Sequence, residues 1–517
     1  MIGFRYIRAR LSRPGFPSGS YTHPARKMSS QLKDQTLFKE QAFIGGKFVD
    51  AASGATFVVT NPATGDKIGS AAEMDVGDLQ RAIDTAAAAF KTFRKTSGRA
   101  RARMIRAWYD LTVANTEDLG RLITLENGKT LAEAKGEVTY AASFMEWFSE
   151  EAPRVYGDVI PASNGVNRAF TVKQPVGVCG IITPWNFPAA MITRKVAAAV
   201  AAGCTVVVKP DAETPYTALA LAELARRAGI PDGVINIVTT SKNLQTVGKE
   251  LCSSPKIKKI SFTGSTNVGK LLMDQASSTL KKCSFELGGN SPFIVFDDVD
   301  LDLAVEAAVL SKFRGTGQTC VCANRFFVHA AVYDAFAAKL TAAVAKFRIG
   351  NGFDAGVTHG PLIHGRALAK VQDHVDDATA KGATVTIGGA PAAALGANFF
   401  EPTVVTGVTQ DMKIASEETF GPIAALFKFT TEDEVVELAN SVEVGLASYL
   451  MTNDVSRVWR IAEGLEFGMV GVNTGAISDA ATPFGGVKYS GFGREGSKYG
   501  IEEYVTIKSV TIGNIGL

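Results

Sequence analysis

The chain has 517 residues, 46% of them hydrophobic and 20% charged, with a net charge of +3. That profile describes a globular protein with a large core and more than one domain. It excludes a membrane-spanning chain, since no apolar run approaches the ~20 residues a spanning helix needs. It also excludes a disulfide scaffold, because six cysteines are too few for one in a chain of this length.

Residues 1–30 hold Arg5, Arg8, Arg10, Arg13, Arg26 and Lys27 and no acidic residue. An Arg-rich, Ser-containing, acid-free leader has the composition of a mitochondrial transit peptide. Met28 offers a second start for a cytosolic form. Without the six cations of this segment the body carries −3. That body shows no basic cluster, which argues against nucleic-acid binding.

From about residue 40, apolar strands alternate with helical patterns. VGVCGIITPWNF (176–187) reads as a strand running into a loop, and CTVVVKP (204–210) as a buried β-branched strand. TPYTALALAELARRAGI (214–230) is an amphipathic helix closed by Gly229, and GVINIVTT (233–240) is another strand. Residues 245–276 give helix, strand, turn and helix. Strands separated by helices imply parallel pairing and an α/β fold. SFELGGNSPFIVFDD (284–298) opens a second α/β unit, so a boundary is placed there. RVYGDVIPASNGVNRAFTVKQPVGV (154–178) reads as a hairpin turning near Asn164–Gly165, and residues 500–514 alternate like a terminal strand.

KFRGTGQTCVCANRF (312–326) holds Cys320 and Cys322 one residue apart. Zinc ligands are spaced C-x2-4-C with a second pair elsewhere, and neither the other four cysteines nor the five histidines supply one. No metal site is expected. A structural disulfide across one intervening residue is strained. Two readings remain: a cysteine nucleophile for a carbonyl carbon, or two ordinary buried thiols.

FELGGNSP (285–292), TPWNFP (183–188), VVVKP (206–210), FTGST (262–266) and EETFGP (417–422) accompany this loop. Together these motifs resemble the aldehyde dehydrogenase superfamily over about residues 40–510. MITRKVAAAVAAGCTVVVKP, SKFRGTGQTCVCANRF and PFGGVKYSGFGREGSKYGIEEY are most similar to its members that oxidise succinate semialdehyde. The resemblance implies a Rossmann-like cofactor domain (40–153 and 173–285), a catalytic α/β domain (286–485) and oligomerisation strands (154–172 and 486–517). It implies a homo-oligomer, dimer or tetramer.

The resemblance further implies Cys320 as nucleophile, Glu286 as general base and Asn186 as oxyanion donor. For the cofactor it implies Trp185, Lys209, Ala212, Gly264, Ser265, Leu287 and Glu418. Related NAD enzymes often carry a Glu three residues after this lysine; Ala212 stands there, which favours NADP, or dual use with NAD. Arg194 and Arg314, with Ser478, match residues that hold a substrate tail carboxylate, a task suited to the forked guanidinium. Cys322 matches a cysteine that pairs with the nucleophile under oxidation. Gly315 replaces a usual Asn, which is expected to loosen the loop. Glutarate semialdehyde or another small aldehyde is the alternative substrate, and a thiol hydrolase without nucleotide is a more distant one.

Overall fold

The structure, a computed structural model, describes residues 32–514. The leader expected over 1–30 lies outside the described residues.

An eight-stranded sheet forms the first unit. Its centre is built from Thr205–Lys209, Val178–Ile182, Ile257–Thr263 and Lys282–Glu286, paired in parallel. Thr205–Lys209 is buried at every position. That burial accounts for its continuous run of valines, where a one-faced strand would alternate. Ile235–Ile237 extends the sheet on one side, and Ala42–Ile44 with Lys47–Val49 close that edge antiparallel.

The second sheet has seven strands. Ile423–Phe429, Ala323–His329, Ser291–Val295 and Ala447–Met451 run parallel through its middle. Lys282–Glu286 therefore belongs to the first sheet and Ser291–Val295 to the second, with only residues 287–290 between them. A third, antiparallel sheet places Arg168–Pro175 between Val505–Ile512 and Val159–Ile160. It exposes Val159, Ile160, Ile507 and Ile512.

Three expectations need correction. Residues 76–151 do not alternate strand and helix; they form four successive helices, Val76–Phe93, Gly98–Ala114, Thr116–Asn127 and Leu131–Glu151. Val76–Phe93 packs directly on the sheet, while Gly98–Ala114 and Leu131–Glu151 pack on helix Ala190–Ala202, whose residues are all buried. Its many alanines permit that close approach from every side. Residues 486–517 are not all oligomerisation strand. Gly491–Phe492 joins the first sheet beside Glu286, and Ser497–Glu502 is helical, leaving Val505–Ile512 for the third sheet. Finally, the body does contain a basic cluster, around the start of helix Gly98–Ala114. Its arginines are spread through 94–103 between small residues, so it does not read as a solid charge run.

Glu126 links the helical layer to the cofactor side. Its buried carboxyl accepts the backbone N–H groups of Tyr216 (2.8 Å) and Thr217 (2.9 Å). These belong to helix Pro215–Arg227, which has no side-chain cap of its own. Burial pushes Glu126 up to about 8. Glu126→Ala leaves both donors unsatisfied in the interior. A loss of about 2–3 kcal/mol is expected, measured as a lowered denaturant midpoint.

Candidate active site

Helix Leu301–Phe313 ends where the cysteine loop begins. The turn Arg314–Gly317 takes left-handed backbone at Gly315 (φ 59°), Thr316 (φ 58°) and Gly317 (φ 76°). Glycine adopts that region freely and Asn tolerates it better than other residues, so Gly315 suits the geometry that an Asn would occupy. Instead of loosening the loop, Gly315 is anchored: its N–H donates to Glu133 Oε1 at 2.8 Å. A Cβ on Gly317 would sit 2.2 Å from the Gly421 carbonyl oxygen. Gln318 holds the next turn from its side chain, donating to Gly315 O (3.2 Å) and Pro361 O (3.3 Å) and accepting from Ile363 N–H (2.9 Å). Cys320 leaves this frame half-buried.

The facing loop, 183–190, follows strand Val178–Ile182. Asn127 Nδ2 donates to Trp185 O (3.0 Å) and Lys129 Nζ to Asn186 O (2.8 Å). Lys129 pairs in turn with Glu137 (2.5 Å), which also accepts the Ala189 N–H (2.9 Å). Asn186 Nδ2 donates to the Gln318 carbonyl at 3.0 Å, tying this loop to the cysteine loop. That bond uses one of the amide's two N–H groups.

Trp185, Asn186, Gly264, Ser265, Leu287, Cys320 and Glu418 line one cavity of about 210 Å³, together with Phe420 and Thr263. Trp185 and Phe420 pack edge to face with ring centroids 5.7 Å apart. Ser265 caps helix Thr266–Ser277, and the buried Thr263 hydroxyl has no partner. An aromatic wall, a helix N-terminus, an orphaned hydroxyl and a carboxyl together fit a nicotinamide dinucleotide: the helix end suits its phosphates and Glu418 its ribose hydroxyls. Lys209 stands at the end of its strand, outside the cavity wall. Burial lowers its pKa, against the opposing pull of Asp211 and Glu73. Ala212 packs partly buried on the core, and Asp211 accepts the Glu213 N–H at 3.0 Å.

Glu286 ends strand Lys282–Glu286 and is 3% exposed, with Oε2 unpartnered. Burial raises its carboxyl well above the ordinary range, and Glu495 adds to the shift. Glu495 itself stays low despite burial, because Lys195 and Arg194 draw its charge onto themselves. Burial pushes the Cys320 thiol up to about 12, with Glu418 the next cause and Arg194 opposing. Burial raises Glu418 to about 7. Burial thus favours the protonated Cys320 thiol and Glu286 carboxyl, while Glu495 keeps its charge beside Arg194 and Lys195.

The two arginines take different positions. Arg314 is exposed and fronts a second cavity of about 250 Å³ with Glu133, Tyr140 and Phe187. Arg194 is fully buried and lies 2.9 Å from Glu495, over the rings of Phe484 (4.2 Å) and Phe144 (4.7 Å). Arg194, expected with Arg314 to hold a substrate carboxylate, already faces a carboxylate of the chain. Its Nη2 nevertheless has no partner. Tyr140 links the two regions, since its hydroxyl bonds Ser478 while its ring also lies by Arg194 (5.9 Å).

Cys322 is 2% exposed, and its Sγ lies 3.4 Å from Lys312 O. The expectation of an exposed, labile bridge meets a buried thiol. All six cysteines are free. Beside Cys322 lies the fully buried Lys312, which donates to Asn324 (2.8 Å) and is lowered by burial to about 8.

Sequence reasoning missed Lys129, Glu137, Lys195 and Glu495. A signal existed for Glu137, which interrupts the apolar stripe Ala134, Val138, Ala141 of helix Leu131–Glu151. A carboxylate on a core-facing stripe announces a buried partner. Glu495 has no comparable signal, because its partners lie 300 residues away.

One consequence concerns the thiol. Removing the Glu418 charge lowers the Cys320 pKa and raises its thiolate fraction. Glu418→Gln is expected to speed iodoacetamide alkylation of the free enzyme at pH 8 several-fold. The rate in both proteins should climb steadily with pH.

A sequence model of the aldehyde dehydrogenase family matches residues 48–510. The chain is 58% identical to the NADP(+) succinate-semialdehyde dehydrogenase 1 of Schizosaccharomyces pombe, over 95% of this chain and 99% of that protein. It is 56% identical to a glutarate-semialdehyde dehydrogenase of Pseudomonas aeruginosa, over 94% of this chain and all of that one. The crystal structure of succinate-semialdehyde dehydrogenase from Burkholderia pseudomallei superimposes with a TM-score of 0.92 at 56% identity, covering 93% of this chain and 99% of that one. A cysteine loop and an Asn-bearing loop meeting over a dinucleotide-shaped cavity, in a chain matched over nearly its whole length, make this protein a member of the aldehyde dehydrogenase family.

Proposed function

We propose that the protein oxidises succinate semialdehyde to succinate with NADP or NAD, NADP being preferred or shared. The observation that carries this reading is the placement of Cys320 and Asn186 on one cavity, with Arg314 fronting a second one beside Phe187 and Tyr140. A four-carbon semialdehyde bears an acid at one end and an aldehyde at the other. Arginine at the far end fits that acid by charge and fork geometry.

Cys320 attacks the aldehyde carbon, and the second N–H of Asn186 with the Cys320 backbone N–H holds the developing alkoxide. Such a donor is worth about 3–4 kcal/mol in the transition state. The bound dinucleotide supplies the hydride acceptor. Trp185, Leu287 and Glu418 would orient it, Gly264 and Ser265 would hold its phosphates, and Lys209 would bond its ribose. Glu286 then takes a proton from the water that releases the acid. Since burial keeps Glu286 protonated at rest, this step is favoured as pH rises. Ala212 in place of a carboxylate spares a 2′-phosphate from repulsion at that position. The product suits 4-aminobutyrate breakdown, and the Arg-rich, acid-free composition of residues 1–30 supports a mitochondrial matrix form, with a cytosolic form starting at Met28 as the alternative.

The exposed apolar side chains of the third sheet suit pairing of copies into a homo-oligomer. Oxidation joining Cys320 to Cys322 would remove the nucleophile reversibly, once loop movement exposes Cys322. Glutarate semialdehyde is the second reading, favoured by the Pseudomonas relative. One methylene separates the two substrates, and a pocket discriminates that by only about 1–3 kcal/mol.

The test is initial rates with purified protein. Cys320→Ser is expected to abolish dinucleotide reduction, and Asn186→Ala to lower kcat about 10²–10³-fold. Arg314→Gln should cut kcat/KM for succinate semialdehyde at least tenfold while sparing butanal. Wild-type kcat should rise from pH 6 upward. Equal kcat/KM for butanal and succinate semialdehyde in the wild type would overturn the substrate.

A further inference from the structure

We propose that the cavity at the start of helix Gly98–Ala114 binds a small phosphate-bearing anion, at a site separate from the dinucleotide cleft. The cavity holds about 420 Å³ and is lined by Arg94, Ser97, Gly98, Arg99, Arg101 and Lys173, with no acidic side chain in its wall. That volume exceeds a bare phosphate and falls within the range of small-molecule sites.

The charge arrangement runs against what a helix favours. An N-terminus carries partial positive charge and is stabilised by acidic residues in its first turn. This helix has none there. Instead Arg99 lies in the first turn, Arg101 just after it, and Arg94 precedes the cap. Ser97 caps the helix by accepting the Ala100 N–H (3.2 Å), and the Ser97 carbonyl takes the Arg101 N–H (3.1 Å). The Gly98 and Arg99 N–H groups have no partner among the described residues, and both residues line the cavity.

Arg101 is the second, independent observation. It is 9% exposed and has no carboxylate partner among the described residues. Its Nε donates to Ala201 O (2.8 Å), closing the end of helix Ala190–Ala202, and Nη1 donates to Thr96 O. Nη2 makes no bond among the described residues, and the side chain lines the cavity. Burial lowers its pKa, and two backbone carbonyls, with no carboxylate among the described residues, are what hold the cation there. Arg94 and Arg99 likewise lack ion pairs among the described residues, whereas Lys173 is paired with Glu502. Three guanidinium groups and two free N–H groups converging on one cavity make a set of donors that matches a phosphate dianion.

The experiment is calorimetric titration of inorganic pyrophosphate into the full-length protein at low salt, with NADP saturating to fill the dinucleotide cleft. One saturable site per chain is expected. Because the Arg94 and Arg99 side chains are exposed and make no hydrogen bond among the described residues, the double variant Arg94→Gln/Arg99→Gln keeps the fold. It should weaken binding about tenfold per arginine, leaving the KM for NADP unchanged. No saturable heat to about 10 mM pyrophosphate in the wild type, or equal affinity in the double variant, overturns the proposal.

Discussion

The pair formed by Lys129 and Glu137 is the contact on which the site rests. Both side chains are almost fully buried, and neither is satisfied by the other alone. Lys129 also holds the Asn186 carbonyl, and Glu137 also holds the Ala189 N–H. One ion pair thereby clamps both ends of the loop that presents Asn186. Removing one partner leaves a buried charge uncompensated, a loss of about 3–5 kcal/mol. The pair stands on one turn of helix Leu131–Glu151 and the residues just before it. The helical layer thus serves the chemistry directly, beyond covering the sheet.

A second buried carboxylate, Glu495, acts on the opposite side. It collects the charges of Arg194 and Lys195 and so keeps its own proton off. Burial, with the Glu495 charge adding to it, keeps the proton on Glu286 against the pull of Lys195 and Arg194. Two carboxyl groups in one low-dielectric region cannot both ionise cheaply, and the cations decide which one does. The thiol of Cys320 obeys the same rule: with Glu418 near and burial dominant, it rests protonated.

Much of the central parallel sheet was legible along the chain. Strands 178–182 and 205–209 are buried on both faces, so apolar runs mark them whatever their neighbours, whereas 257–263 is nearly as buried yet carries Lys258 and Lys259. The helical stretch 76–151 was not, because its stripes are interrupted by buried polar residues such as Asp118, Glu126 and Glu137. Each of these breaks the apolar period for the sake of a partner distant in sequence. Gly315 shows the opposite error. Its identity suggests slackness, yet the left-handed turn and the Glu133 contact hold it in place.

By itself the sequence determined the α/β class, the position of the two-cysteine loop and the residue types that could face it. Those are carried by short-range pattern: burial period, turn chemistry and motif order. Only the tertiary structure decided the charge states of Cys320, Glu286 and Glu418, the unequal positions of Arg194 and Arg314, and the burial of Cys322. Each of those depends on dielectric surroundings and on ion partners up to 300 residues apart, quantities that come into being when the chain closes.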